Sequence, residues 1–512
     1  MILALILIPM FTGIFAFWWR HDAGRRVLLV ATALVHAGLT ATVWTRWHEI
    51  STPSHGAPPG AWLALDATGL LFLSIISVLF LASATYVTGY LANERHQRHV
   101  DIVENLFFSN EPEAVFTGCL LLFLGSMTLV TVSQHFGLLW VGVEATTLAS
   151  APLIYFHRHH RSLEATWKYL LICSVGIALA LLGNFLLAVA ATASATDGGR
   201  SPTGLVQADL LARAARLNAP WLKAAFLFFL VGYGTKMGLA PMHTWLPDAH
   251  SESPSPVSAL LSGALLNCAF LGILRAHRVC DAAGLGDFSR ELLVIFGLLS
   301  MVVAAIFILG QVDFKRMLAY SSVEHMGILA LGVGLGGVGA FGSALHAVNH
   351  SLTKASLFLV AGNFLARFRT NSVRDIRGAS RVLPLSGLLW VAGFLAITGS
   401  PPFGPFLSEL TVLKAALDGG RGLVALAYLA PLSLIFVGMA LIVLPMVQGE
   451  PTEPPEVRRR EAAWATLAPA ALLTLALVLG IYVPPRLNDV LSQAARDLGG
   501  RPAEAAQALL GD

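Results

Sequence analysis

Ionisable side chains stand inside apolar stretches of this sequence, and their types are those that carry protons. Glu144 lies in Leu138-Leu-Trp-Val-Gly-Val-Glu144-Ala-Thr-Thr-Leu, with apolar neighbours for a turn on either side. Lys236 lies in Gly232-Tyr-Gly-Thr-Lys236-Met-Gly-Leu-Ala-Pro241-Met-His243-Thr-Trp-Leu-Pro-Asp248-Ala-His250. A charge at the centre of a bilayer costs about 2.5–3.5 kcal/mol on insertion scales, so such residues mark function by default. Glu144 and Lys236 are the expected pair. Opposite charges lower each other's cost, and each pKa then depends on the other's charge, which a proton switch requires. A glutamate snorkelling to an interface is the plain alternative for Glu144, and its mid-span position speaks against it.

A second polar line reads His346-Ala-Val-Asn-His350-Ser-Leu-Thr-Lys354. Its three ionisable residues fall at i, i+4 and i+8, which stacks them along one helix face about 6 Å apart per step. Neutral histidine both accepts and donates near ambient pH, so the face suits a proton wire. Structural histidines at a helix contact are the bland alternative. A zinc site is not expected, because the spacing shows no third ligand or nearby carboxylate for the histidine pair. In Tyr320-Ser-Ser-Val-Glu324-His325, adjacent residues point about 100° apart on a helix, so His325 is assigned to the wire and Glu324 less firmly. Thr398-Gly-Ser-Pro401-Pro402-Phe-Gly-Pro405-Phe-Leu-Ser-Glu409 places a further carboxylate just past a proline-rich break. Lys414 follows, one to two turns on, with snorkelling to the exit surface as its alternative.

The elements that must hold these residues are membrane helices. The chain has 512 residues, 56% hydrophobic and 12% charged, with mean hydropathy +0.70. Soluble domains are about 25% charged, so this is an all-α polytopic membrane protein. With about 20 apolar residues needed per crossing, fourteen transmembrane helices are expected, at 1–19, 27–45, 67–91, 115–133, 135–156, 167–193, 221–241, 255–275, 291–311, 317–337, 338–366, 384–417, 423–448 and 462–483. Spans seven and twelve are broken, at Pro241 and at Pro401, Pro402 and Pro405, because proline removes a helix hydrogen bond. Backbone freed at membrane depth is tolerated only where protein or water satisfies it. Paired breaks in corresponding halves point to inverted repeats with a site at the midplane. The expected division is residues 1–114 (spans one to three), 115–280 (first five-helix repeat, spans four to eight), 281–448 (second repeat, spans nine to thirteen) and 449–512 (span fourteen and tail).

Other classes are excluded or set aside. A net charge of +3 shows no basic face for nucleic acid. Cys119, Cys173, Cys268 and Cys280 form no CxxC and no metal spacing, so no cofactor or iron–sulfur cluster is expected in this chain. Gly332-Val-Gly334-Leu-Gly-Gly337 matches GxGxxG but follows a membrane helix rather than a strand, so it reads as packing or a turn. The cluster His157-Arg-His-His160-Arg161 reads as a solvated inner loop. The apolar start Met1–Trp19 lacks a charged n-region and a cleavage site, so it is expected to be a retained span. Loops that would lie inside, among them Lys315, Arg316, Arg374, Arg377, Arg381 and Arg458, Arg459, Arg460, hold more Lys and Arg than the outer segments, which favours both termini outside.

With these motifs in place, nearly the whole chain resembles the antiporter-like subunits of respiratory complex I, Mrp-type cation/proton antiporters and group 4 membrane-bound [NiFe] hydrogenases. Ser321-Ser-Val-Glu-His-Met-Gly327 and the Thr398–Glu409 stretch look most like the hydrogenase-4 or formate hydrogenlyase type. The resemblance implies a Glu144–Lys236 charged pair, a His346–His350–Lys354 line and an exit at Glu409. It also implies two inverted five-helix repeats and a multi-pass inner-membrane location. The partners it implies are membrane-arm subunits, lipid and a peripheral redox module with Fe–S and [NiFe] centres. One departure is Asn267, where relatives carry a lysine or histidine, since asparagine cannot store a proton. His243 and Asp248 are further candidates beside the first break. A Na+/H+ antiporter without redox partners and a membrane component of inorganic-carbon uptake are the alternatives. A scaffold has no reason to bury three lysines.

Overall fold

The computed structural model describes residues 1–47, 60–94, 99–100, 107–192, 204–450 and 461–499. The inner-loop Arg458, Arg459 and Arg460 lie outside these described residues. The helices are α1 (Ile2–Trp18), α2 (Asp22–Thr45), α3 (Ala67–Glu94), α4 (Glu113–Val132), α5 (Phe136–Ile154), α6 (His160–Thr192), α7 (Ala219–Met237), α8 (Leu246–Glu252) and α9 (Ser255–Ala282). They continue with α10 (Gly286–Ile308), α11 (Phe314–Leu335), α12 (Val338–Phe368), α13 (Pro384–Ile397), α14 (Gly404–Asp418), α15 (Gly422–Val447), α16 (Ala463–Ile481) and α17 (Pro485–Asp497). Ten of the described helices are long and apolar enough to cross a membrane, and α1 and α13 are shorter apolar helices. The protein is a multi-pass membrane protein, mostly helical. A two-residue antiparallel pairing of His99–Val100 with Phe107–Phe108 is a small addition to the all-helical expectation.

Local chemistry starts and stops these helices. His135 accepts from the amides of Gly137 and Leu138 at the head of α5, and Asp313 accepts from Lys315 and Arg316 at the head of α11. Such caps satisfy amides that have no partner within the helix. Gly238, at φ +84, ends α7 in a left-handed conformation open to glycine. The break that follows holds Pro241, and α8 resumes with Pro247 in its first turn. Trp245 Nε1 donates to the Thr235 carbonyl at 2.8 Å, and Ser300 Oγ accepts from the Ala240 amide at 2.9 Å. Protein groups therefore satisfy the opened backbone. The expected single span 384–417 is likewise two helices, α13 and α14, parted by Thr398–Phe403 and restarted at Pro405.

Burial sorts the helices by depth. The apolar window of α9 is wholly buried and that of α11 is 94% buried, against 39% for α6. Helices α9 and α11 thus sit at the centre, covered by neighbouring protein, while α6 presents much of its length outward. α12 packs on α9, α11, α13, α14 and α16, so its histidine face is enclosed on several sides. α10 packs on α11 through Gly297 and Gly327, each facing the other's carbonyl closely enough that a Cβ would be crowded. At α9 the backbone widens to a π turn over Leu261–Leu265, directly before Asn267.

Candidate functional site

Lys236 sits in the last turn of α7, fully buried. The carbonyl end of a helix carries partial negative charge, which offsets part of the cost of a buried ammonium. Its Nζ donates to Tyr169 OH at 2.5 Å and to Thr147 Oγ1 at 2.9 Å. It also lies over the Tyr169 ring, 4.3 Å from the centroid. Glu144 does not touch it. The Glu144 carboxylate accepts from Thr147 Oγ1 at 3.3 Å and from Ser174 Oγ at 3.2 Å. The expected direct pair is therefore a relay, Glu144–Thr147–Lys236, because Thr147 follows Glu144 by one turn on α5 and occupies the space between. Glu144 is half-buried, on a face that also exposes Val141 and Leu148.

The second cluster joins three helices. His325 of α11 bonds His346 of α12, Nδ1 to Nε2, at 2.9 Å. His346 Nδ1 bonds Ser408 Oγ of α14 at 2.9 Å. The His325 ring stands 5.1 Å from that of His346 and 5.0 Å from that of His350, bridging two rings that are 6.4 Å apart along α12. Lys354 turns toward α11, donating to the Leu318 carbonyl at 2.7 Å and to Ser321 Oγ. All four are fully buried. Glu324 departs from expectation: its Oε2 is 4.0 Å from His325 Nε2, and it is buried beside the cluster. Two adjacent residues reach one interior because α11 is enclosed on nearly all sides.

Glu409 closes the cluster. Its carboxylate lies against Gly399, the φ +62 residue of the second break, and its Oε1 has no hydrogen-bond partner among the described residues. Ligating atoms of His325, His346 and Glu409 all lie within 4.8 Å of one another. The spacing along α12 pairs His346 with His350 and shows no carboxylate. The tertiary structure instead groups His346 with His325 and supplies Glu409.

The remaining candidates fall in three places. Asn267 spans α9 and α12, its Nδ2 donating to the Gly263 carbonyl at 2.9 Å and to Ser351 Oγ at 2.8 Å. His243 is buried in the first break with its ring 6.1 Å from that of Tyr320. Asp248 is not aimed into the interior; it binds Lys168 and Arg316, each at 2.9 Å. Lys414 pairs with Asp418 at 2.5 Å on a partly exposed surface. Pro241, Pro401, Pro402 and Pro405 lie at the two breaks, with Pro405 in the first turn of α14.

Several participants escape the sequence reading. His250 is fully buried on α8, stacked on Phe358 at 5.1 Å, with neither ring nitrogen partnered among the described residues. Its place in the stretch after Pro241 is the one signal that could have found it. Lys315, which reads as an inner-loop cation beside Arg316, is buried and donates to the Ser251 carbonyl at 2.9 Å and the Ser253 carbonyl at 2.6 Å. Thr147, Tyr169, Ser321 and Ser408 are common residue types whose role depends on which helix faces them.

Residues 133–434 match the family model described as NADH:quinone oxidoreductase/Mrp antiporter, TM. The chain belongs to that family. It is 36% identical over 436 residues to the hydrogenase-4 component F homolog of Methylacidiphilum infernorum, covering 84% of this chain and 88% of the relative. It is 28% identical to hydrogenase-4 component B of Escherichia coli, but spans only 54% of that protein. In fold it matches a chain of an archaeal respiratory complex, the membrane-bound sulfane sulfur reductase, with TM-score 0.82, 21% identity and 98% of each chain covered. This member of the family is an antiporter-like membrane subunit, and both polar clusters lie within the matched residues.

Proposed function

We propose that this chain translocates protons as one membrane subunit of a redox-driven complex, of the group 4 [NiFe] hydrogenase or NADH:quinone oxidoreductase kind. The observation that carries the reading is the enclosed chain Ser408–His346–His325, with His350, Lys354 and Glu409 around it, at the centre of a membrane protein. Groups that cost this much to bury persist where they move charge. The family match and the similarity to hydrogenase-4 component F support the class of complex.

Protons enter from the inner side at Glu144 and pass through Thr147 to Lys236. A redox-linked change in a neighbouring subunit alters the charge on Glu144, and the hydroxyl between them transmits it to the ammonium. From Lys236 the proton crosses to Lys354 through the two nitrogens of His250, which have no partner among the described residues, and through water held by Asn267. His350, His325 and His346 then pass it along α12, and it leaves past Glu409. The fold comprises fourteen spans, in which α4–α9 form the first repeat and α10–α15 the second. The breaks α7/α8 and α13/α14 correspond, and α4 packs on α5 as α10 packs on α11. The domains are 1–114, 115–280, 281–448 and 449–512, with both termini outside an inner membrane. Other membrane-arm subunits, lipid and a peripheral Fe–S redox module are the partners, with no cofactor held by this chain.

Proton flux through the assembled complex tests the reading. Lys354→Ala and Lys236→Ala are each expected to abolish it while the complex still assembles. Unchanged flux in Lys354→Ala sinks the proposed path.

A further inference from the structure

The two histidines and the glutamate that converge between α11, α12 and α14 make a donor set beyond what a proton wire requires. We propose that His325, His346 and Glu409 form a binding site for a borderline divalent cation of the Zn2+ type, and that its occupancy shuts the proton line.

Three observations carry this. The ligating atoms come from three separate helices and already lie within 4.8 Å of one another. Tetrahedral bonds of about 2.1 Å place ligand atoms about 3.4 Å apart, so binding would draw the widest of these separations in by no more than about 1.4 Å. The His325–His346 edge is already 2.9 Å. Next, Glu409 Oε1, on a residue more than nine-tenths buried, is left without a hydrogen-bond partner among the described residues; the His325 nitrogen that faces His346 is Nδ1, and its Nε2 lies on the Glu324 side. Finally, two carboxyl groups stand at the site, Glu409 and Glu324, the latter 4.0 Å from His325, and carboxyl ligands give up any proton they hold when a cation binds, so that they then offset its charge. Lys354 opposes them, yet its ammonium is turned away to the Leu318 carbonyl and Ser321.

The chemistry of the donors selects the ion. Two nitrogens and a carboxylate suit zinc-like cations, whereas Mg2+ and Ca2+ take oxygen shells. Three protein ligands leave a fourth position open. An imidazole whose lone pair is on a metal cannot accept a proton there, so a bound ion interrupts transfer through His346. That consequence rests on the proton path proposed above; the site itself does not.

The test uses the full-length chain in its native complex, in membranes equilibrated with Zn2+ and washed. Zinc content and the zinc X-ray absorption edge are measured beside proton flux. Wild type is expected to hold one more Zn2+ per complex than H346Q or E409Q, in a shell of two imidazole nitrogens and oxygen, while H350Q keeps that ion. Flux in wild type is expected to fall at least tenfold on loading. Zinc content equal in wild type, H346Q and E409Q overturns the site, as does zinc lost only when the loop histidines His157 and His159 are replaced. If neither variant assembles, the wild-type absorption shell decides: an all-oxygen or sulfur shell overturns it. Zinc bound with undiminished flux keeps the site and sinks the path through His346. Flux lost in H346Q without a zinc difference does the reverse.

Discussion

Thr147 is the residue on which the first cluster turns. Its hydroxyl accepts from Lys236 and donates to Glu144, so it bridges the two groups where a direct ion pair is expected from sequence. A hydrogen bond to a charged group contributes about 1.5–3 kcal/mol, and about 1.4 kcal/mol is tenfold in an equilibrium. Thr147→Val is therefore expected to lower proton flux by roughly tenfold or more, and Thr147→Ser to restore most of it. Wild-type flux in the valine variant would show that Glu144 acts on Lys236 without the hydroxyl. His250 has a sharper role. Buried without a partner for either nitrogen among the described residues, and lying on the segment between the two clusters, it is the group that the proposed path uses to relay a proton where Asn267 cannot. His250→Phe keeps the ring stacked on Phe358 and removes both nitrogens, so flux is expected to be lost with assembly intact. Asn267→Ala is expected to reduce flux only several-fold. The opposite order, measured in vesicles, places the crossing at Asn267.

At the scale of elements, the two broken helices are held by different means. The α13/α14 break rests on Gly399, whose positive φ excludes a Cβ and whose Cα faces the Glu409 carboxylate. Gly399→Ala is expected to destabilise the protein by about 1–3 kcal/mol and to displace Glu409, lowering flux as well as the thermal midpoint. The α7/α8 break is braced from α11. Lys315 binds two carbonyls at the end of α8, Ser251 Oγ donates to Asp313, and Asp248 binds Arg316. The tail helix α17, outside the spans, is held through Asp497 and Arg278 at 3.1 Å. Burial pushes the Asp497 carboxyl up from 3.8 to about 6, against the pull of Arg278, with Asp66 adding to the rise. A docked acid with a raised pKa binds a proton on docking. Its contribution is therefore full below pH 3.8 and lost as pH rises through about 6. Hydrogen exchange in α17, corrected for intrinsic rate, is expected to quicken across that window in wild type and to stay flat in Asp497→Asn.

For the whole molecule, the helices that carry the second cluster are enclosed by others, while several apolar helices present exposed faces. Glu144 stands half-buried at an outer face of Val141, Leu148 and, on α6, Trp167, Leu171 and Val175. On the proposed function, this face would meet the neighbouring subunit that acts on Glu144. Gentle purification from the native membrane is expected to recover further membrane subunits together with Fe–S and [NiFe] proteins, identified by mass spectrometry. Quinone-reductase subunits would move the assignment to a complex I type, and sibling antiporter subunits alone would favour the ion exchanger.

Much of this protein is legible in one dimension. Hydropathy marks the membrane helices, because each must satisfy its own backbone in lipid. Proline and glycine mark both breaks, because neither continues a helix there. Ionisable residues inside apolar runs name Glu144, Lys236, His325, His346, His350, Lys354 and Glu409, because their burial is costly wherever the helices pack. What one dimension does not hold is which helix faces which. Thr147 between Glu144 and Lys236, Lys315 turned inward from an apparent loop, Glu324 brought in beside His325, and Glu409 joined to two histidines are all contacts that depend on how the helices pack. Periodicity reports the face a residue occupies on its own helix, but the partner across that face is chosen by packing, and only the tertiary structure decided it.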